Sequence, residues 1–230
     1  MAKDKLKRWA ENKTFTHVFE PNLLPIIKEG KTFMKGEWRK KFYKNDNPLV
    51  IELGCGKGEY TVQLAEANPH INYLGIDVKG HRFNHGARIA KAKGLTNVAF
   101  LRTRIEFIEA FFAPNEVDEI WLTFSDPQPR DETGLKRITS SFFWNKYKHF
   151  IKDNGVIHIK HDNPMIYQNA LEELEGTNYV IESHSEDVYG DYFQSLDEQW
   201  KKILSIRTFY ESRWLEEGKK IHYVRFRIRQ

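Results

Sequence analysis

From residue 48 onward the chain alternates short apolar runs with stretches of helical period. Leu49-Val50-Ile51-Glu52-Leu53 follows the turn signal Asn45-Asp46-Asn47-Pro48 and predicts a buried parallel strand. Glycines 54, 56 and 58 lead into a helical stretch through Asn68, and Ile71 to Asp77 reads as a second strand. A helix over 80–93, closed by Gly94, precedes a third strand from Asn97 to Leu101. Glu119 to Phe124 forms the fourth strand, which Pro127 and Pro129 prevent from continuing. A helix with an aromatic face over 140–152, a fifth strand over 155–160 and a helix from Pro164 to about Glu175 come next. Tyr179 to Glu182 is a sixth strand, Ser205 to Glu217 a helix closed by Gly218, and Ile221 to Arg229 the last strand. Such alternation predicts an α/β, Rossmann-like fold: a mainly parallel sheet with right-handed crossovers and helices on both faces. Residues 1–44, broken by Pro21, Pro25, Gly30 and Gly36, keep no sustained period and read as an N-terminal arm or cap on a domain spanning 45–230.

Composition narrows the class. At 230 residues with 40% apolar and 14% aromatic content the chain can bury one large core, which excludes a disordered protein. No run approaches the ~18–20 apolar residues of a membrane helix, and the start lacks the apolar stretch of a secretion signal, so a cytoplasmic protein with no membrane partner is expected. One cysteine, Cys55, and no Cys/His spacing of the zinc kind argue against a disulfide or a structural metal. The net charge of +4 is uneven, because residues 1–44 hold twelve Lys/Arg against five Asp/Glu. Lys219 to Gln230 adds five basic residues and no acidic one, including Arg225-Phe226-Arg227-Ile228-Arg229. This basicity fits a phosphate-bearing partner, or equally a charged edge strand that deters aggregation.

Candidate chemistry sits at the carboxyl ends of the strands, where open α/β sheets bind ligands. Gly54, Gly56 and Gly58 form a turn into which a ligand can approach without a Cβ in the way. A dinucleotide site would place its third glycine where Glu59 stands, and the turn lacks the Gly-Lys-Ser/Thr ending of a P-loop. Glu52 beside it would repel a diphosphate and favour a cationic ligand. Asp77, ending the second strand, can accept both hydroxyl hydrogens of a ribose. A cationic nucleoside with free ribose hydroxyls meets this description, and S-adenosylmethionine is one. Asp126 and Asp162 end the fourth and fifth strands, where an Asx turn and a helix cap are the plain structural alternatives. Thr208 and Glu211 lie three apart on one helical face, which on its own reads as solvated surface.

At these residues the sequence resembles the bacterial tRNA (guanine-N7)-methyltransferases. The likeness runs from about residue 48 to 229 through Glu52-Leu-Gly-Cys-Gly-Lys-Gly58, Asn97-Val98, Phe124-Ser-Asp-Pro-Gln-Pro-Arg130, Lys136-Arg137-Ile138-Thr139, His158-Ile-Lys-His-Asp-Asn163 and Thr208-Phe-Tyr-Glu211. It implies a seven-stranded class I methyltransferase sheet with its last strand antiparallel, S-adenosylmethionine as methyl donor, no metal, and a variable-loop guanine of tRNA as acceptor. Monomer and homodimer are both open. By the same likeness Glu52, Gly54, Gly56, Gly58, Asp77, Arg104 and Asp126 bind the donor, and Asp126 is also catalytic. Arg130, Asp162, Thr208, Phe209, Tyr210 and Glu211 fall at substrate-binding positions. Three departures stand out: Gln128 where the family has Trp, Asp131-Glu132 where it is basic, and Arg104-Ile105 where it carries an Asp-Ala pair near the adenine. Arg104 cannot accept from an adenine amino group, which points to backbone atoms or Glu106 instead. A methyltransferase acting on something other than RNA, and a non-catalytic RNA-binding relative, are the rival readings.

Overall fold

The computed structural model describes residues 2–128 and 137–229. One eight-stranded sheet runs through it: β1 (Val18–Phe19), β2 (Leu49–Leu53), β3 (Asn72–Asp77), β4 (Val98–Arg102), β5 (Val117–Thr123), β6 (Ile151–His161), β7 (Val180–Ser185) and β8 (His222–Arg227). Their order is β1-β4-β3-β2-β5-β6-β8-β7, and β8 alone runs antiparallel to both its neighbours. Without β1 this is the expected seven-stranded sheet. The sequence reading missed β1 because two residues carry no alternation. This strand joins the edge beside β4, with Phe100 N–H donating to the His17 carbonyl at 2.8 Å.

Every residue of β2 is buried, as a central parallel strand covered on both faces requires. Alternation divides the core into two layers. Leu49, Ile51 and Leu53 join Trp38, Trp144, Tyr147 and Phe150 on one side. Val50 joins Tyr60, Tyr73, Phe100, Trp121 and Tyr223 on the other.

Nine helices accompany the strands among the described residues: α1 (Ala2–Asn12), α2 (Leu23–Glu29), α3 (Glu59–Ala67), α4 (Gly80–Ala92), α5 (Ser141–Tyr147), α6 (Pro164–Leu174), α7 (Asp191–Ser195), α8 (Glu198–Leu204) and α9 (Phe209–Glu216). A π-helical turn covers Trp38–Tyr43 and a 3₁₀ turn Ile105–Ala110.

Residues 1–44 are more regular than their sequence suggests. Helix α1 lies on α4, where Asn12 donates to the Gly80 carbonyl at 3.0 Å and accepts from Asn84 at 2.9 Å. The arm aromatics pack rather than project: Phe15 is buried, Phe19 meets Trp38 and Phe42 edge-on, and Trp9 meets His81 edge-on. The π turn is fixed by Trp38 Nε1, which donates to the Phe111 carbonyl at 2.8 Å. Two other expectations change. The helix foreseen over 140–152 stops at Tyr147, because β6 begins at Ile151. The one foreseen from Ser205 to Glu217 begins only at Phe209, as α9, and α8, which ends at Leu204, was not foreseen. The basic last strand is interior rather than an edge, and Arg225 and Arg227 both pair with Glu182 across β7.

Candidate active site

The strand order reverses between β2 and β5, and the loops after these strands open the crevice of such a sheet. Its floor is the glycine turn. Gly54 and Cys55 both donate to the Ile76 carbonyl, at 2.8 and 3.0 Å, which folds the turn over the end of β3. Gly54 sits at φ 77° and Gly58 at φ 74°, in the left-handed region, and a Cβ on Gly58 would meet the Phe100 ring at 2.5 Å. Burial pushes the Cys55 thiol up, so it stays protonated and inert.

Asp77 orders this turn from β3. Its Oδ2 accepts from Gly56 N–H at 3.0 Å and its Oδ1 from Lys79 N–H at 2.7 Å. The carboxylate also lines a cavity of about 230 Å³ together with Gly54, Val78, Thr103, Ile138 and Phe143. Each carboxylate oxygen offers two acceptor sites, so capacity remains for a diol.

Arg104, Ile105 and Glu106 close the far side of the cavity. Arg104 turns to Glu106, Nη2 to Oε1 at 2.7 Å, and lies 5.7 Å from the Phe107 ring centroid. Burial works to raise the Glu106 pKa, but the Arg104 hydrogen bond and charge outweigh it and hold the carboxyl below its usual range.

Glu52 lies beneath the turn, 3% exposed, with Thr61 and Thr123 hydroxyls donating to its two oxygens. Burial pushes its carboxyl up to about 7 against those hydrogen bonds. The folded value therefore exceeds the ordinary 4.5, so protonation stabilises the fold fully below pH 4.5 and the contribution disappears as pH rises through about 7. Glu52→Gln has no such proton to lose. Relative to wild type it is expected to gain up to about 3 kcal/mol on going from acid to neutral pH. Urea unfolding of both proteins across that range measures the difference, and a gap that does not move with pH would contradict the buried, protonatable state.

Asp126 and Asp162 follow the ends of β5 and β6. Phe124, just past β5, holds φ 48°, a conformation that strains a bulky side chain. It is over-determined: its N–H donates to the Lys160 carbonyl at 3.0 Å, and its ring meets Trp214 and His161 at 5.2 and 6.2 Å. The exposed Asp126 follows, with Oδ1 accepting from Gln128 N–H at 3.2 Å. Buried Arg137 donates to the carbonyls of Pro127 and Gln128, at 3.0 and 3.1 Å, and so clamps this loop. From β6, His161 Nε2 donates to the Ser125 carbonyl at 2.8 Å, while its Nδ1 lies 3.2 Å from Asp162 Oδ1. Burial pushes the Asp162 carboxyl up, yet His161 and the Lys219 ammonium at 3.7 Å hold it below the carboxylate range. Arg130 lies outside the described residues.

Thr208 and Glu211 are a reciprocal cap rather than a solvated face. Thr208 Oγ1 accepts from Glu211 N–H at 3.1 Å, and Glu211 Oε2 accepts from Thr208 N–H at 3.3 Å. Glu211 is fully buried; its Oε1 meets Lys160 Nζ at 2.7 Å and accepts from Tyr189 Oη at 2.6 Å. Lys160, equally buried, also donates to the carbonyls of Leu204 and Ile206, each at 2.9 Å. Glu59 reaches across from the start of α3 to accept from Phe209 N–H at 3.0 Å, tying α9 to the glycine turn. Phe209 and Tyr210 stand half-exposed beside that turn.

Sequence reasoning did not assign Thr61, Thr123, Arg137 or Lys160 a role. Thr123 lies far along the chain from Glu52, and Lys160 from Glu211, and the sheet brings each to its acid; Thr61 reaches Glu52 from α3.

Comparison with solved structures agrees with this topology. The chain superposes on a structure titled "Structure of an antibiotic related Methyltransferase" with TM-score 0.61 at 18% identity, covering 85% of this chain and 95% of the other. It superposes on the 16S rRNA methyltransferase KamB with TM-score 0.57 at 14% identity, covering 87% and 96%. In sequence, residues 46–224 match a family described as "Putative methyltransferase". A tRNA (guanine-N(7)-)-methyltransferase of Christiangramia forsetii is 44% identical over 228 residues, covering 99% of each chain. One of Bacteroides thetaiotaomicron is 43% identical over 231 residues, covering 100% of this chain and 88% of its own. The sheet order is that of the class I methyltransferase fold, and the family match makes the chain a methyltransferase. With full-length relatives at this identity, the chain belongs to the tRNA (guanine-N(7)-)-methyltransferase family.

Proposed function

We propose that the protein transfers the methyl group of S-adenosylmethionine to N7 of a variable-loop guanine in tRNA. The observation that carries this reading is the set of acids on successive strand ends, Glu52, Asp77, Asp126 and Asp162, around the glycine turn of a chain related over its full length to enzymes of that name.

The crevice suits the donor by its chemistry. Asp77 has acceptor capacity for a ribose diol and lines the apolar wall of Val78, Ile105, Ile138 and Phe143. Glu106, on the same wall, offers the acceptor for an adenine amino group that Arg104 lacks. Glu52 beneath the turn supplies negative charge toward a cationic group, which would in turn favour its ionised form. When bound, S-adenosylmethionine supplies an electrophilic methyl on a sulfonium.

Guanine N7 carries its lone pair in the ring plane and holds no proton, so no side chain needs to act as base. The protein's contribution is position and charge. His161 ties the Asp126 loop to β6 and Arg137 clamps it at Pro127 and Gln128, and Asp126 then faces a purine that becomes cationic as its bond forms. Asp162 is the candidate acceptor for the guanine N1–H and amino group, in place of Glu211, which is fully buried with its oxygens turned to Lys160, Tyr189 and the Thr208 N–H. Glu211 acts by holding Thr208 to Tyr210 in place.

Phosphate contacts fall to α1 and α4. Burial pushes the His81 pKa down, and the charges of Lys5, Arg82, Arg8 and Lys79 around it push the same way. This cluster begins at the end of β3 beside the crevice. Neutralising phosphates with it makes binding weaken as salt rises.

The test is a tRNA transcript with guanine in the variable loop against the same transcript with adenine there. Methyl label is expected in the first and not in the second. Equal labelling of both places the target elsewhere.

A further inference from the structure

Four rings run from the end of β5 to the glycine turn. Phe124 meets Trp214 at 5.2 Å, Trp214 stacks with Tyr210 at 6.0 Å and 30°, and Tyr210 meets Phe209 at 5.6 Å. Two cations flank these rings, one at Phe209 and one at Trp214. Lys57 Nζ lies 4.3 Å from the Phe209 ring and 5.4 Å from Tyr210. Lys219 Nζ lies 5.5 Å from Trp214 and also 3.7 Å from Asp162.

Phe124 packs against the core, but core packing does not account for the outer rings of this ladder. Phe209 is 52% exposed and Tyr210 50%, although two adjacent large rings at the start of a helix carry no need to face water. Their backbone is held by other means, through the Thr208 cap and the Glu59 carboxylate.

We propose that Trp214 and Tyr210, flanked by Lys57 and Lys219, form a stacking platform that receives the target purine of the RNA and fixes its plane beside Asp126 and Asp162. The inference rests on the function proposed above and deepens it. Because the N7 lone pair lies in the ring plane, the methyl must arrive along that plane, which leaves the faces of the base free to stack. Stacking on an aromatic ring also sets the tilt of the base, and in-line transfer depends on that tilt. The ladder has the required reach: Trp214 touches Phe124, two residues before Asp126, and through Lys219 it adjoins Asp162. The flanking ammonium groups complement the phosphates on either side of an extruded nucleotide.

The test uses the full chain and its variants Trp214→Ala, Trp214→Phe and Tyr210→Ala. Methyl transfer to unmodified tRNA is followed at saturating donor, and donor affinity is measured by calorimetry. Trp214→Ala is expected to lower kcat/KM for tRNA by about tenfold to a hundredfold, the usual range for one stacked base. Trp214→Phe should recover most of that loss. Tyr210→Ala, at a half-exposed position that leaves the fold intact, should lose several-fold. Donor affinity and the slope of tRNA affinity against salt should stay at wild-type values, because neither removes a charge. Wild-type kcat/KM in both alanine variants, or a loss in Trp214→Ala that phenylalanine does not restore, overturns the inference while the function stands. No transfer to tRNA by the wild type refutes the function and this inference with it.

Discussion

Asp126→Asn is expected to lower kcat by about a hundredfold to a thousandfold, the usual effect of removing one electrostatic contact to a developing charge. Asparagine keeps the side-chain oxygen that accepts from Gln128 N–H, so the turn after β5 survives and the charge is what disappears. Guanine gains a positive charge only as the methyl bond forms, so the carboxylate acts on the transition state more than on either bound substrate. The loss should therefore appear in kcat, with donor affinity changed by no more than about threefold. Single-turnover kinetics with saturating tRNA, read beside a calorimetric donor titration, make the distinction. A fall in donor affinity with kcat preserved would move Asp126 to ground-state binding.

Lys160→Met is expected to destabilise the fold by about 3–5 kcal/mol, because it leaves the Glu211 carboxylate buried without its partner. Glu211→Gln should cost a similar order, since Lys160 then keeps only Tyr189 and two carbonyls around a buried ammonium. Burial pushes the Lys160 pKa down while Glu211 opposes that shift. The pair bridges β6 to the cap of α9, so its loss should also loosen Thr208, Phe209 and Tyr210. A double variant, Lys160→Met with Glu211→Leu, removes both charges together and should regain much of the stability. Urea unfolding tests all three. If Glu211→Gln unfolds like wild type yet no longer modifies tRNA, then Glu211 contacts the RNA directly and is not a buried strut.

How far the sequence speaks depends on whether its signal is local. The strand of Leu49 to Leu53 is a continuous apolar run, and the glycines after it require a backbone that few other residues adopt, so both were readable. Asp77, Asp126 and Asp162 were placed by their positions at strand ends, which periodicity locates well. Glu211 was not. Three residues after Thr208 it fits a solvated helical face or a capping box, and the choice depends on Lys160, 51 residues earlier, being aimed at it from a strand. Lys160 itself hides within His158-Ile159-Lys160-His161, where a lysine suggests water and the sheet supplies a buried ion pair instead. The arm misled for a related reason. Its helix α1 owes its place to Asn12 and Asn84, whose polar side chains meet in the packed interface and leave no apolar period to read. Val18–Phe19 joins the sheet only because β4 offers an edge.

Arg225 and Arg227 show the same limit for charge. Their alternation with Phe226 and Ile228 fits an RNA-facing surface and an edge strand equally, until the register of β7 against β8 sets Glu182 beside them. Once those arginines are paired, the basic face of α1 and α4 is the stronger candidate for phosphate.

On the function proposed above, an acid-rimmed crevice at the β2 and β5 ends brings a methyl group to N7 of guanine in tRNA. Incubation with methyl-labelled S-adenosylmethionine and unmodified tRNA, followed by digestion and separation of the nucleosides, tests it most directly. Label eluting as 7-methylguanosine is the expected result. Label in any other nucleoside, or none in the RNA, contradicts the account.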